Sequence, residues 1–137
     1  MNRLITRKVI APGNRIRVLV VDDSRAVRMI LSRILRSVGY EVCEASDGND
    51  ALARLAQEDG VSLILVDWNM PNLNGLGFVR RLREDSSKDG ITVMMVTTET
   101  EVDQMVTALA AGANEYVMKP FTAEVISEKL RLLGAIQ

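Results

Sequence analysis

The sequence predicts an α/β fold, a doubly wound parallel sheet with helices on both faces. Three observations carry that expectation. Apolar runs of strand length alternate with apolar residues at helical spacing, strand then helix, five times over. The run Leu63-Ile64-Leu65-Val66 is continuous rather than alternating, as suits a central parallel strand buried on both faces. Strands one, three, four and five each end abruptly in polar residues, and a parallel sheet delivers all such ends to one edge.

Residues 1–14 hold Arg3, Arg7 and Lys8 before Pro12-Gly13-Asn14, and read as a flexible basic leader ahead of a single domain over 15–137. The first strand, 16–21, runs into Asp22-Asp23-Ser24. Val27, Ile30, Leu31, Ile34, Leu35 and Val38 then recur at helical spacing until Gly39, a residue type that ends helices. A second strand covers 40–45, and Asp47 is placed to N-cap a helix carrying Leu52, Leu55 and Ala56 that closes near Gly60. The third strand ends at Asp67, where Trp68-Asn69-Met70-Pro71-Asn72-Leu73-Asn74 breaks the pattern. Gly75 begins a helix with Leu76, Val79 and Leu82 inside, which dissolves into the polar stretch 85–90. The fourth strand, 91–96, delivers Thr97-Thr98-Glu99. Val102, Met105, Val106, Leu109 and Ala110 form the apolar stripe of a fourth helix, with Gly112 after it. A short fifth strand, 115–118, ends at Lys119-Pro120, and a last helix from Thr122 buries Ile126, Leu130 and Leu133.

Composition excludes several functions. The chain has 137 residues, 47% hydrophobic and 26% charged, with a net charge of -1, so no basic excess points to nucleic acid. No apolar run approaches the roughly 18–20 residues of a membrane span, and the first residues lack the apolar region of a secretory signal. The cytoplasm is the expected location. The single cysteine, Cys43, excludes an internal disulfide and reads as a small buried strand residue. With no histidine in the chain, a Ser-His-Asp triad, a His-ligated metal and a phosphohistidine are all excluded. A phosphohistidine, if one takes part, belongs to a partner.

The strand ends bring Asp22, Asp23, Asp67, Thr97 and Lys119 to one cleft. Three clustered carboxylates repel, and one must take up a proton unless a cation is present. Carboxylates, backbone carbonyls and waters are the ligands Mg²⁺ prefers, with a position left for a phosphoryl oxygen. Lys119 adds a mobile point charge and Thr97 a hydroxyl. These are the parts needed to receive a phosphoryl group on a carboxylate: nucleophile, metal, and donors for the developing charge. Asp67, on the central strand, is the expected nucleophile. Taken singly, Asp22 or Asp23 reads as a helix N-cap, Asp67 as a turn former, Thr97 as a strand-end hydroxyl and Lys119 as a surface charge. Their joint placement favours the functional reading.

At these residues the chain resembles the receiver domain of two-component response regulators, in particular its single-domain, CheY-like chemotaxis members. The resemblance runs from about Ile16 to the C-terminus. Its marks are Val-Asp-Asp-Ser at 21–24, Asp-Trp-Asn-Met-Pro-Asn-Leu-Asn-Gly at 67–75, Val-Thr-Thr-Glu at 96–99 and Tyr-Val-Met-Lys-Pro-Phe at 116–121. It implies a flavodoxin-like (βα)5 fold with strand order 2-1-3-4-5 and a cis Lys119–Pro120 bond, which X-Pro tolerates at small cost. It implies phosphorylation of Asp67 by a sensor histidine kinase. Mg²⁺ would be held by Asp23, Asp67 and the Asn69 backbone carbonyl, with Asp22 helping through water. By the same match Lys119 pairs with the phosphoryl group, Thr97 moves to bond it, and Tyr116 swings inward behind Thr97 to reshape the face of helix four, strand five and helix five. Asn69 and Glu99 would tune the lifetime of the aspartyl phosphate.

Two departures stand out. Thr98 occupies a position where the family usually has Ala or Gly, so its bulk would restrict access to the acyl phosphate. Helix four begins with Thr100, Glu101 and Asp103, rather than the basic residues of the familiar enteric chemotaxis member. That favours the helix dipole and alters the face toward a flagellar motor switch protein.

The expected protein is a stand-alone phospho-acceptor that assists its own phosphorylation and dephosphorylation, rather than an enzyme acting on an external metabolite. A role as phosphate sink or phosphorelay intermediate needs the same cleft, and a phosphatase partner is compatible with each. It would be a monomer, or a weak dimer on phosphorylation. An aspartyl-phosphate phosphatase of the haloacid dehalogenase type needs a second aspartate two residues after the nucleophile, and Asn69 stands there. No P-loop motif occurs, and a flavin phosphate loop would not begin Asp22-Asp23.

Overall fold

A computed structural model describes residues 16–98 and 101–134 of the chain. The basic leader at 1–14, Glu99 and Thr100 lie outside the described residues. The strands are β1 (Arg17–Val21), β2 (Glu41–Ala45), β3 (Val61–Val66), β4 (Thr92–Thr97) and β5 (Glu115–Met118). Between and after them come α1 (Arg25–Ser37), α2 (Gly48–Gln57), α3 (Gly75–Arg83), α4 (Val102–Ala111) and α5 (Ala123–Leu132). The polar stretch after α3 is a single 3-10 turn, Ser86–Lys88. All four strand pairings are parallel and the order is β2-β1-β3-β4-β5, the flavodoxin-like order that the resemblance implies. Lys119–Pro120 is cis.

Strand alternation divides the apolar residues between two faces. Leu19, Val21, Ile64, Val66, Val93 and Met95 face α2, α3 and α4, where they meet Ala51, Leu55, Phe78, Val79, Leu82 and Ala108. Val18, Val20, Leu63, Leu65, Met94 and Val96 face α1 and α5, against Leu31, Leu35, Ile126 and Leu130. β1, β3 and β4 are therefore continuous apolar runs because both faces are covered. The strand ends register closely: Val21 pairs with Val66, Val66 with Met95, and Thr97 with Met118. The residues one step beyond, Asp22, Asp67 and Lys119, consequently share one edge.

Several local details differ from the periodicity. In α4 the buried residue is Ala108, at 0% exposure, with Met105 and Ala111 packed beside it, whereas Val102 is 70% exposed and Val106 and Leu109 also face out. Of the stripe picked out by spacing, Met105 thus packs inward, while Val102, Val106, Leu109 and Ala110 lie on the outer face. The inward contacts of α4 are made by Met105 and by the small side chains of Ala108 and Ala111. In α2 the core takes Ala51 and Leu55 rather than Ala56, and in α3 Phe78 is buried while Leu76 is half-buried. Ile30 of α1 and Val38, its C-cap, are exposed. Cys43 is half-buried on the edge strand β2, its Sγ 3.6 Å from the Val18 carbonyl, and desolvation pushes its pKa up.

The far edge of the sheet is tied by Arg83 at the end of α3. Its guanidinium donates to the carbonyls of Gly112 at 3.1 Å, Lys88 at 2.9 Å and Ile91 at 2.7 Å, and to Asn114 Oδ1 at 3.2 Å. Burial lowers the pKa of this guanidinium.

Candidate functional site

The site is built from loops that the sheet fixes at their first residue. The Asp22 amide donates to the Ala45 carbonyl at 3.2 Å and the Asp67 amide to the Val21 carbonyl at 3.0 Å, each extending the ladder by one bond. Lys119 is held likewise, its amide donating to the Thr97 carbonyl at 2.9 Å. Asp22, Asp67 and Thr97 are buried and Lys119 is half-buried, while Asp23 and Asn69 are exposed.

α1 starts immediately after the acidic pair. Its N-cap is Ser24, whose Oγ accepts from the Val27 amide at 3.2 Å, so neither aspartate is spent on capping. Asp22 Oδ1 instead accepts from the Ser24 amide at 2.8 Å, and its Oδ2 accepts from Lys119 Nζ at 2.8 Å. Lys119 Nζ also lies 3.4 Å from Asp67 Oδ2. Burial opposes the charge on Lys119, but the hydrogen bond and charge of Asp22, with Asp67 behind them, outweigh it and hold its pKa above the usual lysine value. The other Asp67 oxygen, Oδ1, accepts from the Trp68 amide at 2.8 Å.

The loop from β3 to α3 is pinned at both ends. The Gly75 amide donates to the Trp68 carbonyl at 2.9 Å, and Asn74 N-caps α3 through the Gly77 amide. Asn72 has a φ of +69°, a left-handed conformation asparagine tolerates, and its Nδ2 donates to Asp47 Oδ2 at 2.6 Å. The Gly48 amide completes the attachment to α2 through the Leu73 carbonyl at 2.9 Å. Asp47 is the N-cap of α2, as its position suggests, and its pKa is lowered by the Asp50 amide first and the Asn72 amide group next.

Carboxylate oxygens of Asp22, Asp23 and Asp67 lie within 4.8 Å of one another. Trans oxygens around Mg²⁺ are separated by roughly 4.2 Å, given bonds of about 2.1 Å, so this hard-oxygen donor set can close on such an ion with small side-chain adjustments. Thr98 is exposed at the end of β4, and Glu99 lies outside the described residues. Tyr116 is buried in the cluster that holds Met95, Ala108 and Ala113, on the α4 side of the sheet. Sequence reasoning missed two features: Arg28 beneath the acidic pair and the Asn72–Asp47 link. The signal for the link was the Asn-x-Pro-Asn-x-Asn-Gly turn chemistry at 69–75; Arg28 gave none, standing among several arginines of an amphipathic helix.

The model for the response regulator receiver domain matches residues 18–131. The chain belongs to that family. It is 42% identical over 118 residues to the chemotaxis protein CheY1 of Helicobacter pylori, covering 85% of this chain and 95% of that protein. It is 41% identical to the chemotaxis protein CheY homolog of Campylobacter jejuni, covering 83% of this chain and 88% of the other. Among solved structures, the chemotaxis response regulator CheY4 of Vibrio cholerae superposes with a TM-score of 0.81 at 37% identity, over 88% of this chain and 99% of that one. This receiver domain is thus of the CheY chemotaxis type and of two-component signalling. None of its described helices is long and apolar enough to cross a membrane.

Proposed function

We propose that this receiver domain takes a phosphoryl group on Asp67 from a phosphohistidine of a sensor kinase and, so modified, changes its affinity for a chemotaxis partner such as a flagellar motor switch protein. The observation that carries the reading is the placement of Lys119 Nζ 3.4 Å from Asp67 Oδ2, within a cluster whose three carboxylates approach within 4.8 Å. An Asp67 oxygen attacks phosphorus as the P–N bond to imidazole breaks, leaving an aspartyl phosphate; water later attacks phosphorus and releases inorganic phosphate. Asp23, Asp67 and the Asn69 carbonyl would hold Mg²⁺, with Asp22 assisting through water. The bound ion would neutralise charge on the transferring group. Lys119, already bridging two carboxylates, exchanges Asp67 for a phosphoryl oxygen. The Thr97 hydroxyl donates to another, and Asn69, Thr98 and Glu99 govern the approach of water.

The proposed output runs through Thr97 and Tyr116 to α4, β5 and α5. Val102, Val106 and Leu109 on α4, with Met118 on β5, present apolar side chains to solvent there, surface left uncovered among the described residues. The role is regulatory, in the cytoplasm, with residues 15–137 as the receiver unit and 1–14 as a leader.

Intact mass after incubation with Mg²⁺ and a small acyl phosphate tests the acceptor. One added phosphoryl group is expected for the wild type and none for Asp67→Asn or without metal. Equal gain in Asp67→Asn would overturn the assignment.

A further inference from the structure

Beneath the acidic pair lies a second polar layer that the chemistry above does not employ. Arg28 sits one turn into α1, its side chain only 16% exposed. Its Nη1 donates to the Asp22 backbone carbonyl at 2.6 Å, and its Nε donates to Glu44 Oε1 at 3.0 Å. Glu44 stands on β2, paired with Val20, and its second oxygen accepts from the buried Ser32 hydroxyl at 3.2 Å. A side chain on α1 thus ties the end of β1 to the neighbouring strand.

The carbonyl that Arg28 holds belongs to the peptide unit joining Asp22 to Asp23. With the Asp22 amide fixed by the Ala45 carbonyl and its carbonyl by Arg28, both backbone groups of Asp22 are bonded. The Asp22–Asp23 peptide plane is therefore set, and with it the point from which the Asp23 side chain departs. Asp23 needs that help: it is exposed, and among the described residues no side-chain hydrogen bond orients its carboxylate. We propose that Arg28, anchored by Glu44 and Ser32, is a positioning residue that presents the Asp22–Asp23 pair to a divalent cation. The proposal rests on the metal-dependent reading of the site given above.

Charge makes the test sharp. Arg28 is a cation bonded to the backbone of the acidic pair, so deleting it would tighten Mg²⁺ binding if its Coulombic effect were all that mattered. Positioning predicts the opposite sign. Groups that orient metal ligands typically contribute 10- to 100-fold in affinity, roughly, and Arg28 acts through backbone, so a loss of about tenfold is expected. Lys places one point charge where Arg bridges two acceptors, so Arg28→Lys keeps the charge and loses the bridge.

The experiment is calorimetric titration of the full chain with MgCl₂ for wild type, Arg28→Ala, Arg28→Lys, Glu44→Gln and Arg83→Ala. Arg83→Ala breaks a comparable set of guanidinium–carbonyl bonds at the opposite edge of the sheet and reports general loosening. The expected result is Mg²⁺ affinity about tenfold weaker in Arg28→Ala, weaker in Arg28→Lys and Glu44→Gln, and unchanged in Arg83→Ala. If Arg28→Ala does not fold, the Lys and Gln variants decide. Unchanged or tighter binding in the Arg28 and Glu44 variants overturns the proposal, as does an equal loss in Arg83→Ala. Absence of Mg²⁺ binding by the wild type would instead overturn the metal-dependent reading on which it rests.

Discussion

Gly75 lies where the first turn of α3 meets the backbone of Asp67, and alanine there has a calculable consequence. A Cβ at this position would stand 2.0 Å from the Asp67 carbonyl oxygen, 2.9 Å from the Asp67 carbonyl carbon and 3.0 Å from Trp68 Cα. All three are backbone atoms, so no side chain can rotate away, and the strand end and the helix must separate by more than an ångström. Overpacking of this kind costs about 1–3 kcal/mol, and the rigidity of the neighbours puts it near ~3. Alanine's better helix propensity returns about 0.5–1 kcal/mol, leaving a net loss of ~2 kcal/mol. For a domain of this size that lowers Tm by roughly 8 °C, at about 4 °C per kcal/mol. Urea and thermal unfolding followed by far-ultraviolet circular dichroism measure it. Gly90→Ala, where an added Cβ meets nothing within 4 Å, serves as reference and should stay within about 0.5 kcal/mol of wild type. Because the displaced group is Asp67's own carbonyl, phosphoryl uptake should fall as well. A Gly75→Ala protein as stable as wild type, or more so, would mean that the strand end and α3 part without cost.

In α4 the outer and inner faces should respond in opposite ways to substitution. Val102→Ser, at an exposed site, should change stability by less than about 0.5 kcal/mol, while Ala108→Leu, inserted at the fully buried contact, should cost about 1–3 kcal/mol by urea unfolding. The reverse order would restore the stripe that spacing alone suggested. Asp47 has a lowered pKa, so its contribution is present above the ordinary value of 3.8 and is lost as pH falls through the folded one. Asp47→Asn should accordingly flatten the acid limb of the stability profile, measured as the urea midpoint between pH 3 and pH 6, and an unchanged limb would remove Asp47 from the linkage.

The strands and the strand-end site were legible because both rest on strong local signals. Continuous apolar runs such as 63–66 suit strands covered on both faces, and parallel direction then brings Asp22, Asp67, Thr97 and Lys119 to one edge. Helix faces were harder to read. In α4 the spacing of Val102, Val106 and Leu109 is as good as any core stripe, yet tertiary packing buries Ala108 instead. Side chains that bond to backbone were not legible at all. Arg28 and Arg83 are indistinguishable in sequence from solvated helix arginines, since their partners are carbonyls brought near by tertiary structure. Asn72 is intermediate: the turn composition announced a special backbone, but its bond to Asp47 spans elements 25 residues apart.

In the proposed function Asp67, one of three neighbouring carboxylates, receives the phosphoryl group. Borohydride reduction of the freshly phosphorylated chain converts an aspartyl phosphate to homoserine, and peptide mass mapping locates it. Homoserine at position 67 alone, dependent on Mg²⁺ during loading, is the expected result. Homoserine at Asp22 or Asp23 with Asp67 intact would contradict the assignment of acceptor and metal ligands alike.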